Sequence, residues 1–138
     1  MSDDLDDDPT GVQTPTAPQT FYPNVAEFVA GFLSPVYARE WDKMDDFHWC
    51  SRWWLHVEAV ARLEAMWRAW ETLRRDPGTG PSVWFRDHCD PAMTALTNPY
   101  GTFRRCHPNG HNVWNPLPVE PPPDAMFTTH LDSNDQDG

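Results

Sequence analysis

Six of the eight tryptophans of this 138-residue chain fall between Trp49 and Met93: Trp49, Trp53, Trp54, Trp67, Trp70 and Trp84. Each indole carries a large apolar area and one N–H that needs a partner once buried. The core must therefore be built around this stretch. Its middle, VEAVARLEAMWRAWETLRRDP, has helical periodicity. Leu55, Ala59, Val60, Leu63, Met66, Trp67, Trp70 and Leu73 fill one arc of a helical wheel. The opposite arc carries Glu58/Arg62, Glu64/Arg68 and Glu71/Arg75, acid first at i,i+4, each pair worth about 0.2–0.5 kcal/mol. The spacing predicts a helix from near Ser51 to Arg75, stopped by Asp76-Pro77-Gly78.

Two weaker helices flank it. Asn24 caps a run in which Val25, Phe28, Val29, Phe32 and Leu33 repeat at helical spacing, with Pro35 set to kink or end it. Ser82 can cap a third, with Phe85, Cys89, Met93 and Leu96 as its stripe and a kink at Asp90-Pro91. From Asn98 the chain is turn-rich, with no clear strand; a short hairpin within Thr102–Trp114 is compatible with the pattern. Pro116-Leu117-Pro118-Val119-Glu120-Pro121-Pro122-Pro123 is polyproline-II in character. Its apolar end, Met126-Phe127, suggests an arm that packs back on the helices. The fold class expected is mainly α: a small three-helix domain with an irregular Pro-rich C-terminal arm and disordered acidic tails. Residues 1–20 form the first tail, 21–127 the domain and 128–138 the second tail, because the ends bury too little to offset ordering entropy.

The net charge of −11 belongs to those ends. Every Lys and Arg lies between Arg39 and Arg105, and inside Phe21–Pro118 eleven acids face ten bases. A near-neutral core with acidic ends argues against nucleic acid as a direct ligand. No run is long and apolar enough to span a bilayer. Three cysteines, an odd number, fit reduced thiols in a cytoplasm better than a disulfide framework.

The chemistry-bearing residues are few. There is no Gly-rich phosphate loop, no nucleophile elbow and no His-Glu-x-x-His. Asp87, His88 and Cys89 are sequential on a helix, point about 100° apart and cannot form a triad. Cys106-x4-His111, in a turn of Pro, Asn and Gly, has the form of half a zinc site, since thiolate and imidazole from one loop can reach one ion. Cys50 and His88 are the expected completing ligands, with His56 as a substitute. One structural zinc is thus the only cofactor the residues suggest. Trp53, Trp54, Trp84 and Arg86 are the candidate surface for a protein partner. The spacing sets no oligomeric state. The first role is a non-enzymatic interaction module. The alternatives are a metal-dependent hydrolase or transferase on His56, Asp87, His88, Asp90 and the Cys106–His111 loop, or a zinc-stabilised nucleic-acid accessory.

The segment WCSRWWLHVEAVARLEAMWRAWETLRRDPGTGPSVWFRDHCDPAM, followed by GTFRRC, GHN and PLPVEPPP, resembles the actinobacterial family catalogued as domain of unknown function 4913. The resemblance covers about Phe21–Phe127. Ala92 stands where the family's pattern often has histidine, which weighs against an essential ligand there. Members occur on plasmids, integrative elements and phages, often near conjugation genes, so the resemblance implies an accessory protein of a mobile element.

Overall fold

A computed structural model describes residues 19–107 and 110–127; the two acidic ends outside that range, read above as disordered, lie beyond the described residues. Asn24 opens the first helix as its side chain allows. Its backbone is extended, and its Oδ1 accepts the Glu27 N–H at 2.9 Å. Helix α1 (25–36) runs on through Pro35. Helix α2 (Val57–Leu73) follows two short 3-10 turns, and α3 (80–97) follows a tight loop. No strand is present among the described residues, only an isolated bridge between His107 and Gly110.

Neither proline breaks its helix, and the reason is the same in both. A proline ring inside an α-helix clashes with the carbonyl four residues back. In α1 the Ser34 N–H bonds five residues back, to the Val29 carbonyl, immediately before Pro35. In α3 the Asp90 N–H bonds to the Phe85 carbonyl, immediately before Pro91. Each π turn widens the helix where the ring must fit. It also shifts the inward face by one residue. Phe28 and Leu33 are both buried, five apart, and so are Trp84 and Cys89. This explains why Trp84, rather than Phe85, is fully buried while Met93 and Leu96 stay inward.

The helices share one core. The Trp84 indole N–H donates to the Met66 carbonyl at 3.0 Å, crossing from α3 to α2. Its ring meets Phe28 and Phe32 of α1 at 6.2 and 5.6 Å. Trp70 of α2 packs on the same pair. Leu63 and Met66 are buried as the periodicity requires, whereas Trp67 and Trp70 are only half-buried and Leu55 is exposed. Helix α2 also starts six residues later than expected, because His56 is extended (φ −103°, ψ 118°).

Two contacts lay the segment after α3 across the start of α2. The Thr102 hydroxyl donates to Glu58 Oε1 at 2.7 Å. Phe103 is fully buried, edge-on to Trp49 and His56. Trp114 is the last ordered anchor, with the Arg104 and Arg105 guanidinium groups 4.7 and 5.3 Å from its ring. Beyond it the arm does not pack back on the helices. Leu117 is 86% exposed and Phe127 74%, so the expected anchor at Met126-Phe127 is absent. The prolines stiffen the arm, and its apolar side chains stay exposed.

Candidate metal centre

The start of α2 and the turn after α3 bring four donors together. Cys50 lies just before the 3-10 turn Trp53–Leu55. His56 is the residue that precedes α2, and its extended backbone frees the ring from the helix. Cys106 and His111 flank the bridge in which His107 and Gly110 exchange two backbone hydrogen bonds of 3.0 Å. A Cβ at Gly110 would meet the exposed His107 ring, which would have to swing aside.

One ligand atom from each of Cys50, His56, Cys106 and His111 lies within 4.8 Å of all the others. His111 Nδ1 is 3.1 Å from Cys50 Sγ and 3.8 Å from Cys106 Sγ. His56 Nε2 is 3.4 Å from Cys106 Sγ. Zinc bond lengths of 2.0–2.3 Å place tetrahedral donors about 3.3–3.8 Å apart. Three of the donor separations, 3.1, 3.4 and 3.8 Å, lie at or close to that spacing, and none exceeds 4.8 Å. Cys50, His56 and Cys106 are buried and His111 is half-buried. The His111 Nε2 is itself buried and has no hydrogen-bond partner. Two thiols and two imidazoles are the donor chemistry that zinc selects.

Burial also sets the protonation. It pushes the Cys50 thiol up to about 11, helped by the neighbouring Cys106. Burial, with His111 beside it, holds His56 below its ordinary value, so that imidazole is neutral, the form a metal binds.

The structure assembles three of the four expected ligands and replaces the fourth. His88 lies exposed on the π turn of α3 and is not in the cluster; His56, the substitute, takes its place. Asp87 is exposed and pairs with Arg86 at 2.8 Å, and Asp90 accepts the Tyr37 hydroxyl at 2.9 Å. Those residues do not converge with the Cys106–His111 turn, so the set needed by the hydrolase reading is not assembled. The candidate partner surface also divides. Trp84 and Trp53 are buried, and only Trp54, 57% exposed, and Arg86 face solvent.

Glu71 escaped the sequence reading. Its expected partner was Arg75; instead it is buried and pairs with Arg74 at 3.0 Å. It also accepts the backbone N–H groups of Phe21 and Tyr22 at 2.7 and 2.9 Å, and the Trp67 indole at 3.1 Å. Burial opposes its ionisation, but the Tyr22 and Phe21 amides, Arg74 and Trp67 outweigh that and hold its carboxyl below the usual range.

No helix among the described residues is long and apolar enough to cross a membrane. No curated protein and no solved structure gives a significant match to the chain. A family model described as Domain of unknown function (DUF4913) matches residues 22–123, well over half of the sequence, and the chain belongs to that family.

Proposed function

We propose that this domain is a non-enzymatic interaction module closed by one structural zinc, held by Cys50, His56, Cys106 and His111. The observation that carries the metal reading is the mutual approach of those four donor atoms within 4.8 Å. Four protein ligands complete a tetrahedron and leave no position for water or substrate, which favours a structural ion over a catalytic one. A bound zinc supplies positive charge that makes thiolates affordable in a buried site. The chain's own part is geometric: two donors at the entry to α2 and two on the 106–111 turn join the ends of the core. Reduced thiols fit a cytoplasmic setting. The resemblance to a family found on actinobacterial plasmids and phages supports an accessory role in conjugation or phage biology, with a protein as partner.

Plasma emission spectroscopy on untagged protein tests the metal. About one zinc per chain is expected, with most of it lost in Cys50→Ser and Cys106→Ser. Wild-type protein with reduced thiols and less than about one zinc in ten chains would refute the reading.

A further inference from the structure

The exposed arm and an aromatic cleft on the same chain are complementary. The cleft, about 250 Å³, is floored by Leu33 and Met93 and walled by Tyr37, Trp41, Phe47 and Trp49. Trp41 and Phe47 lie outside the core cluster, so their rings serve the cleft more than the fold. Arg39 stands at the same cleft, its guanidinium 4.6 Å from the Tyr37 ring, and it makes no salt bridge among the described residues.

The arm has the opposite character. Residues 116–123 carry five prolines, two aliphatic side chains about 85% exposed (Leu117 and Val119) and one acid, Glu120. No lysine or arginine follows Arg105. Proline-rich strands of this kind seat in grooves between aromatic rings, losing little entropy because the prolines have already fixed the backbone. Charge adds register: Glu120 needs a cation, and Arg39 at the cleft is one.

We propose that the arm of one chain docks in the aromatic cleft of a second copy, with Leu117 and Val119 between the rings and Glu120 against Arg39. The geometry favours exchange between copies. The arm leaves the domain at Trp114, pinned by Arg104 and Arg105, and those arginines line a hollow that shares Trp41 and Phe47 with the cleft. The root of each arm thus lies beside its own cleft, yet Leu117 and Val119 stay about 85% exposed and do not enter it, which leaves the arm free for the cleft of a second copy. Eight residues of polyproline II span about 25 Å, enough to cross such a junction. This deepens the interaction-module reading by naming the partner, and it stands apart from the zinc.

Sedimentation of the full, zinc-supplemented chain tests it. A concentration-dependent dimer is expected. Arg39→Glu and Glu120→Arg should each weaken it, by roughly five- to tenfold in Kd, and the double reversal should restore it. Leu117→Asp should give monomer, with circular dichroism and zinc content unchanged. A wild-type chain that stays monomeric at every concentration overturns the proposal, whether the arm then docks in its own cleft or on another protein. A dimer that survives Leu117→Asp, or a double reversal no better than either single variant, overturns it as well. Zinc content, measured on the same samples, reports separately on the metal reading.

Discussion

At Glu71 a carboxylate that belongs to the polar face by spacing turns inward, where it accepts two backbone N–H groups at the domain's start. Phe21 and Tyr22 precede α1 and donate to it from about fifty residues away in sequence. Glu71→Gln keeps the shape but loses the charge from four hydrogen bonds, and a charge-assisted bond contributes about 1.5–3 kcal/mol. A loss of about 2–3 kcal/mol is expected in denaturant melts. The pH dependence has a definite sign. The folded carboxyl is held below its unfolded value, so its stabilisation is complete above about pH 4.3 and fades as pH falls through the folded value. Acid titration of Glu71→Gln should show a shallower loss in that window than wild type. An equal slope would mean that the charge does not hold the two amides.

Between α2 and α3 the decisive element is the six-residue loop Arg74–Thr79. Asp76 accepts the Gly78 and Thr79 N–H groups and the Thr79 hydroxyl, which turns the chain back at once. Helix α3 then starts at Gly80 with Thr79 as its N-cap, three residues ahead of the expected Ser82 cap. Gly80 is buried, and a Cβ there would run into the Leu73 carbonyl at the end of α2. Gly80→Ala gains helix propensity but forces the two helix ends apart. We expect a net loss of about 1–3 kcal/mol, the range for overpacking a tight site, against an ordinary gain of about 1 kcal/mol for Gly→Ala in an open helix. Thermal melts decide between them by sign. The π turns belong to this scale as well: they let Ser34-Pro35 and Asp90-Pro91 stay helical where the residue pair alone predicts a break.

Across the whole molecule the four-donor cluster joins parts of the chain 50 and 61 residues apart in sequence. A cross-link over so long a loop contributes about 4 kcal/mol by the chain-entropy argument. Stripping metal with a chelator should therefore lower Tm by about 15 °C, taking roughly 4 °C per kcal/mol for a domain of this size. Returning zinc should restore the transition. A Tm that ignores both treatments would show that the thiols and imidazoles hold one another without an ion.

Local chemistry alone made much of this chain legible. Leu63 and Met66 point inward because apolar spacing at 3.6 residues leaves a helix no other face to bury. Asn24 caps α1 because its side chain can reach the Glu27 N–H. Cys106 and His111 share a site because a turn with glycine at 110 reverses the chain between them. Glu58/Arg62 and Glu64/Arg68 pair because one turn separates them. The rest depended on what packs where. A π turn has no signal in helical periodicity, yet it moved Trp84 into the core and left His88 in solvent. An extended residue at the mouth of α2 turned His56 toward the two thiols. The burial of Glu71 followed from amides some fifty residues away. Nearest-neighbour spacing determines which residues share a face. Only the assembled helices determine which face lies against what, and with it which histidine completes the cluster.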